Sequence, residues 1–285
     1  MTPATMTDEL LSEKASALRA LHHGERPLVL ANAWDAASAR LVAEAGYPAV
    51  ATTSAGIAYA LGYADGERVS RKEMLQVVRR IVAAVSVPVS ADLEAGYGPG
   101  REAMTRTTRD LVAAGAVGLN LEDARGKARR KLLPTAAQVE RVRAVRETGQ
   151  AIGVPVVINA RTDAFHFVKA SRAVEEAVER GNAYLEAGAD CVFVPFVREP
   201  EIIGELVRGI HGPVNILAGP GTPTVDELAA LGVRRVSVGS APMRATLGLA
   251  RRIARDLRER GTCDLIQEWA LAYEELQQLF GGRAP

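Results

Sequence analysis

An α/β architecture, closed into a single (β/α)8 barrel of the TIM type, is what this sequence predicts, and three observations predict it. Eight short apolar runs alternate with eight amphipathic stretches, and roughly 250 residues is the usual span of eight such units. One phrase, a helical stretch ending at glycine and followed by a β-branched run, recurs along the chain: Leu41–Gly46 before Ala49–Thr53, Leu111–Gly115 before Val117–Asn120, Leu185–Gly188 before Cys191–Val194, and Leu228–Gly232 before Arg235–Val238. Acids and amides crowd just past the apolar runs, where a barrel of this kind keeps its working groups.

The elements follow in order. Strands are expected near 28–32, 49–53, 87–92, 117–121, 154–160, 190–195, 213–218 and 235–239. Each is short and largely apolar, which suits the parallel strands of βα units. Helices are expected near 35–45, 70–84, 101–114, 135–148, 171–187, 199–209, 224–231 and 242–259. Glycine just past a helix supplies the left-handed cap that turns the chain back toward the sheet. Val87-Pro88, Val154-Pro155 and Gly212-Pro213 serve the same lead-in elsewhere. An opening helix (about 7–22) and a closing one (about 264–280) lie outside the eight units, by the same reading of periodicity. No Ser/Gly linker or low-complexity segment divides the chain, so residues 1–285 are expected to form one domain, with the barrel over about 25–260 and a helical extension over 261–285.

Composition narrows the partners. The 35 Lys and Arg nearly balance the 34 Asp and Glu, for a net charge of +1, so neither nucleic acid nor an anionic membrane is expected to be drawn to the surface. The two cysteines, Cys191 and Cys263, are too few for a disulfide framework and not spaced as a zinc site. Cys191 reads as a small buried hydrophobe. The longest apolar runs fall short of a bilayer span, and the polar N-terminus lacks a secretory apolar region, so a cytoplasmic location is expected.

The chemistry is concentrated in Val87–Gly98, where an apolar run leads into Asp92, Glu94 and a glycine-rich turn. Side chains two apart on an extended chain face the same way, so Asp92 and Glu94 form one candidate pair. Val117–Asp123 repeats the arrangement and ends in Glu122 and Asp123. Two neighbouring strands ending in acids make an oxygen-rich rim suited to a hard cation such as Mg²⁺. Arg161 ends the apolar run Val156–Ala160. It could grip a substrate carboxylate or phosphate with two hydrogen bonds, or form a salt bridge to Glu122 or Asp163. Ser54-Ala55-Gly56 is a small-residue turn able to present N–H groups to an oxyanion. Asp35 reads as a helix cap. The run Asp123–Lys131 carries five cations; it is either a solvated loop or a lid closing over an anionic substrate, with Lys127, Arg129 and Arg130 as its candidate contacts. Of the four histidines only His166, just past Arg161, lies near these positions, and a surface or core role suits it better.

Together these segments resemble the isocitrate lyase / phosphoenolpyruvate mutase superfamily over about residues 25–260. The resemblance is carried by Asn32–Ser38, Thr53–Gly56, Leu61–Asp65, Ala91–Gly98, Leu121–Asp123, Asn159–Asp163 and Gly232–Gly239, in that order. It implies a barrel that exchanges a helix between subunits of a homodimer or homotetramer, bound Mg²⁺ with Mn²⁺ able to replace it, and small carboxylate substrates. A C–C or P–C bond of the substrate would break through an enolate of pyruvate type. Residue by residue, it implies Asp92, Glu94 and Glu122 as the metal set. Thr53, Ser54, Gly56, Arg161 and Asn215 would bind the substrate, and Asp65, Glu122 and Arg161 would be catalytic.

Two departures matter. Isocitrate and methylisocitrate lyases carry a Lys-Lys-Cys-Gly-His or Lys-Arg-Cys-Gly-His lid, whereas this loop reads Gly126-Lys-Ala-Arg-Arg-Lys131. They also have Pro-Glu after the sixth strand, where this chain has Pro195-Phe196. Tricarboxylate cleavage is therefore not expected. The leading expectation is a Mg²⁺-dependent lyase for a C–C bond in a small 2-oxo- or 2-hydroxy-carboxylate, by retro-aldol cleavage or decarboxylation. Phosphoenolpyruvate mutase-like or phosphonopyruvate hydrolase-like chemistry at a P–C bond is one alternative, and a catalytically idle barrel used for binding or assembly is another.

Overall fold

The computed structural model describes residues 7–125 and 131–281. In chain order the strands are β1 (Leu28–Leu30), β2 (Asn32–Ala33), β3 (Val50–Thr52), β4 (Val89–Asp92), β5 (Gly118–Glu122), β6 (Ala124–Arg125), β7 (Lys131–Leu132), β8 (Val157–Arg161), β9 (Cys191–Val194), β10 (Val214–Leu217) and β11 (Arg235–Ser237). Nine of them form one sheet in the order β1-β11-β10-β9-β8-β5-β4-β3-β2. Every neighbouring pair in it is parallel. Its two ends, β1 and β2, are separated only by Ala31, so the ring closes on one stretch of chain. The expected (β/α)8 barrel is present, with the first strand in two pieces rather than continuous over 28–32.

Asn32 explains the closure. Its amide Nδ2 donates to the Thr52 carbonyl at 2.8 Å, and its Oδ1 accepts the Val238 and Gly239 N–H groups at 3.0 and 2.8 Å. One buried side chain thus bonds to both neighbours where the first strand changes partner, which is the satisfaction a buried amide requires.

The helices are α1 (Asp8–Ala20), α2 (Ala36–Glu44), α3 (Ser54–Ala60), α4 (Arg71–Ala84), α5 (Gly100–Ala113), α6 (Thr135–Ala151), α7 (Ala164–Phe167), α8 (Ala170–Glu186), α9 (Pro200–Gly209), α10 (Val225–Ala230), α11 (Ala241–Arg260), α12 (Asp264–Trp269) and α13 (Tyr273–Gly281). Local chemistry sets several starts. Asp35, Ser70 and Thr224 each close a capping box with the residue three positions on, so the cap reading of Asp35 holds. On α4, Met74, Leu75, Val78, Ile81 and Val82 make the buried face that lies against the sheet. Cys191 is fully buried in β9, and burial pushes its thiol up to about 12. Two helices in loops, α3 and α7, and the antiparallel pair β6–β7 were not expected from the sequence; α3 and α7 are short and non-periodic. The closing helix expected over 264–280 is two helices, α12 and α13, neither of which buries a residue. Without a packed face, a continuous helix has little to stabilise it.

One mouth of the barrel is plugged. Helix α1 buries Leu11, Ala15 and Leu18, and Arg19 bonds to Asp190 Oδ1 (2.7 Å) and to the Pro155 carbonyl (2.8 Å), both just ahead of strands β9 and β8. A 3₁₀ turn then buries His22, whose Nδ1 meets the Leu18 carbonyl at 2.9 Å and whose Nε2 meets Arg235 Nη1 at 3.2 Å. The neutral tautomer with the proton on Nδ1 satisfies both contacts. Burial first, and the Arg235 cation second, push the imidazole down to about 4. The unfolded chain therefore takes up a proton between its ordinary value near 6.5 and about 4 that the folded chain refuses, and stability falls as pH falls through that window. The loss amounts to about 3 kcal/mol on the linkage relation. In His22→Gln, Tm measured from pH 7 to pH 4.5 is expected to fall less steeply than in the wild type; parallel curves would exclude His22 as the acid-sensitive group. With this mouth closed, chemistry is left to the opposite one, at the carboxyl ends of the strands.

Candidate active site

The open mouth gathers the ends of β3, β4, β5, β8 and β9. Asp92 ends β4. Its Oδ2 accepts the Ser54 N–H at 3.0 Å and the Ser54 hydroxyl at 2.8 Å, while its own N–H donates to Thr52 Oγ1 at 2.8 Å. Thr53 caps α3 by accepting the Gly56 N–H at 3.3 Å. A Cβ on Gly56 would meet Thr53 Cγ2 at 2.5 Å and Trp34 Cβ at 3.0 Å, so only glycine fits this turn. The Ser54 donors expected to cradle a substrate are here directed at Asp92 and fix its orientation.

Glu94 reaches the same space by a different route from the one the sequence suggested. Strand β4 stops at Asp92, and Glu94 has φ +50°, so a turn rather than strand alternation brings it there. The left-handed conformation is costly for glutamate and is held by neighbours. Glu94 Oε2 accepts the Glu67 N–H, and Oε1 lies 3.4 Å from the Tyr97 hydroxyl. Glu67 Oε1 in turn accepts the Tyr97 N–H at 2.8 Å. Glu67 (φ +53°), Tyr97 (φ +56°) and Phe196 (φ +69°) complete the non-glycine residues in this conformation among the described residues, and all four lie in loops at this mouth. Burial first, and then the charges of Asp92, Glu122 and Asp65, push the Glu94 carboxyl up to about 8. Asp65 is exposed at the rim, where it accepts the Gly66 N–H at 2.9 Å.

Arg161, at the end of β8, makes both of the salt bridges the sequence allowed. Nη1 lies 2.6 Å from Glu122 Oε1, and Nε lies 2.7 Å from Asp163 Oδ1. Burial alone would lower its affinity for the proton, but Glu122 and Asp163 outweigh that and hold the guanidinium firmly charged. The rings of Phe193 and Phe196 stand 5.6 and 5.8 Å from its Cζ. Phe196 is 54% exposed, and the ring of His166, itself exposed, lies tilted beside it at 5.6 Å. Asn215 is fully buried on β10, in register with Phe193, and accepts the Ser237 hydroxyl at 3.2 Å.

One expectation changes. Asp123 does not join Glu122 at the rim: it is fully buried, and its Oδ2 accepts the Tyr184 hydroxyl of α8 at 2.8 Å. Consecutive residues on extended chain face opposite ways, which is why only Glu122 of the pair reaches the site. Lys127, Arg129 and Arg130 lie outside the described residues. Glu67, Tyr97 and the buried Arg141, which bonds to the Glu122 and Ala95 carbonyls from α6, were not singled out from sequence. Glu67 lies just past the segment Leu61–Asp65 and Tyr97 inside Ala91–Gly98; Arg141 lies on a helix face that mixes apolar residues with Gln138 and Thr148 and gave no signal of its own.

Among the described residues, no three His, Cys, Asp or Glu side chains stand close enough to ligate one ion together. The donor chemistry nevertheless fits a hard cation. The groups are carboxylate oxygens only, and burial first, then the charges of its acidic neighbours, push the Glu94 proton affinity upward. Mg²⁺ takes one or two carboxylates directly and fills the rest of its shell with water and substrate.

Comparison with known proteins decides the lineage. The phosphoenolpyruvate phosphomutase family model matches residues 18–258. The chain belongs to that family. It lies, as its motifs implied, within the isocitrate lyase / phosphoenolpyruvate mutase superfamily. An uncharacterized protein of Mycobacterium tuberculosis is 35% identical over 82% of this chain and 86% of its own length. The 2-methylisocitrate lyase of Escherichia coli is 31% identical, with 88% of this chain and 87% of the relative covered. The 2,3-dimethylmalate lyase of Eubacterium barkeri is 32% identical over 76% of this chain and 77% of its own. Among solved structures, a putative lyase/mutase from Burkholderia cenocepacia superposes with a TM-score of 0.90 at 38% identity, covering 97% of this chain and 98% of the other.

Proposed function

We propose that this family member is a divalent-metal-dependent lyase that breaks a C–C bond in a small 2-oxo- or 2-hydroxy-carboxylate, by decarboxylation or retro-aldol cleavage through an enolate of pyruvate type. The observation that carries the reading is Arg161, a charged guanidinium fixed by Glu122 and Asp163 at the mouth where Asp92 and Glu94 also converge. The lyase names of the relatives support the reaction class. Asp92, Glu94 and Glu122, with Asp65 at the rim, would hold Mg²⁺ or Mn²⁺, which when bound supplies electrostatic stabilisation of negative charge on the substrate's oxygens.

The chain's own groups do the rest. Ser54 orients Asp92 through two hydrogen bonds. Arg161 pairs with the substrate carboxylate and 2-oxo oxygen, where charge builds as the bond breaks, and its orientation is set before substrate arrives. In decarboxylation of a 3-carboxy-2-oxo acid, the bond to the distal carboxylate breaks, CO₂ leaves, and the electron pair passes to the 2-oxo oxygen. A proton delivered to carbon then gives the 2-oxo acid product. Phe193 and Phe196 line this space with apolar surface, which suits a hydrogen or alkyl substituent on the substrate and leaves a third carboxylate without a partner.

The described chain has no helix long and apolar enough to cross a membrane, and we place the enzyme in the cytoplasm. We read it as a homodimer or homotetramer. Helix α11 buries only Met243, and Leu247, Leu257, Ile266, Trp269 and Tyr273 on α11–α13 are exposed, a surface suited to a second copy of the barrel.

Pyruvate formation from oxaloacetate, 2-alkylmalates, 2-methylisocitrate and phosphonopyruvate, with and without EDTA, tests the function. Metal-dependent turnover of oxaloacetate or a malate is expected. Phosphate release from phosphonopyruvate alone would replace this reading with P–C chemistry, and silence across the panel would leave a binding or assembly role.

A further inference from the structure

We propose that Tyr184 and Arg180, acting through Asp123, are positioning residues for Arg161. What Arg161 binds rests on the function proposed above; the geometry of the relay does not. Arg180 and Tyr184 are one helical turn apart on the buried face of α8. Tyr184 Oη donates to Asp123 Oδ2 at 2.8 Å, Arg180 Nη1 reaches the same oxygen at 3.3 Å, and Arg180 Nη1 lies 3.2 Å from Tyr184 Oη. The other oxygen of Asp123, Oδ1, accepts the Asp163 N–H at 2.9 Å. Asp163 Oδ1 then receives Arg161 Nε at 2.7 Å. The Asp123 N–H donates to the Arg161 carbonyl at 3.0 Å. Arg161 is therefore held twice by way of Asp123, at its main chain and, through Asp163, at its guanidinium.

The placement of the three residues favours a positioning role over plain packing. Asp123 is fully buried, so each of its lone pairs needs a donor, and the donors come from α8 and from the loop carrying Asp163. Loss of one donor does not empty a cavity; it lets the carboxylate rotate, and with it the Asp163 main chain. A guanidinium that must meet two substrate oxygens at once is sensitive to such rotation, because displacement by about 1 Å can cost two orders of magnitude in rate. Arg180 also ties the rest of this corner, donating to the Leu133 carbonyl at 2.9 Å while the Leu133 N–H donates to the Asp123 carbonyl at 2.8 Å.

Tyr184→Phe is the test, since it removes one hydroxyl and keeps the ring. On the best substrate of the panel, kcat is expected to fall about tenfold while KM moves less than about threefold, as a lost transition-state interaction requires. Arg180→Lys, which keeps the charge and shortens the reach, is expected to lose less than Arg180→Met. The Nε–H resonance of Arg161 in the ¹⁵N spectrum, assigned by its absence in Arg161→Lys, is expected to shift in Tyr184→Phe. Wild-type kcat and an unmoved resonance in Tyr184→Phe, even alongside a lowered Tm, would overturn the proposal and leave the cluster a packing feature. If the wild type turns over nothing in the panel, the functional reading fails separately, and the resonance alone decides this one.

Discussion

Asp92→Ala is expected to lower kcat by at least about 10³-fold, because the several kcal/mol of charge stabilisation given by a divalent ion at the reacting oxygens would be lost with its carboxylate anchor. The fold should survive. Asp92 is half-buried at the mouth, and its removal frees two donors of Ser54 and the Glu94 N–H. Its charge is also the second cause, after burial, of the raised Glu94 carboxyl, so its loss relieves repulsion among the acids. Two hydrogen bonds from Ser54 at about 1 kcal/mol each and a longer one from the Glu94 N–H, partly offset in this way, correspond to a Tm change of only a few degrees. Turnover, thermal melting and calorimetric titration with Mg²⁺ together separate the outcomes. A variant that melts normally, binds no Mg²⁺ and does not turn over matches the assignment. One that melts normally and keeps more than a tenth of wild-type kcat removes Asp92 from the chemistry.

The barrel was legible because short, largely apolar runs alternate with helical stretches, several of which end at glycine (Gly46, Gly115, Gly188 and Gly232), patterns that local sequence carries. Closure was not. Whether the first strand stays whole depends on its pairing with Ser237 on one side and Thr52 on the other, 185 residues apart along the chain, and only Asn32 marks the spot. The site shows the same division. Glu122 and Arg161 end strands and could be read directly, since strand geometry fixes where they face. Glu94 was picked out by a rule that does not apply to it; it comes beside Asp92 through a left-handed turn held by Glu67 and Tyr97. Asp123, read as a rim acid, belongs to α8 instead, and its partners lie 57 and 61 positions along the chain in a helix whose pattern is that of any amphipathic helix. Supporting contacts of this kind leave little trace in sequence because a single buried hydroxyl or guanidinium does not disturb a hydrophobic period.

For Arg161→Ala, a fall in kcat/KM of at least about 10²-fold is expected, from loss of a charged contact worth several kcal/mol. Here, unlike at Asp92, stability should suffer too. Glu122 and Asp163 are 5% and 2% exposed at their side chains and each gives an oxygen to this one guanidinium. Removing the cation leaves two carboxylates under cover without it, a change that costs about 3–5 kcal/mol for a buried pair. Lysine separates the two effects. It restores the charge and part of the lost stability, but an ammonium cannot place donors on Asp163, Glu122 and the substrate in the fixed fork that Nε and the two Nη groups provide. Arg161→Lys is therefore expected to melt closer to the wild type than Arg161→Ala while remaining impaired in kcat/KM by at least about tenfold. Wild-type kinetics in the lysine variant would mean that charge alone matters at this position, and that the planar geometry held by Asp163 and Glu122 contributes nothing to catalysis.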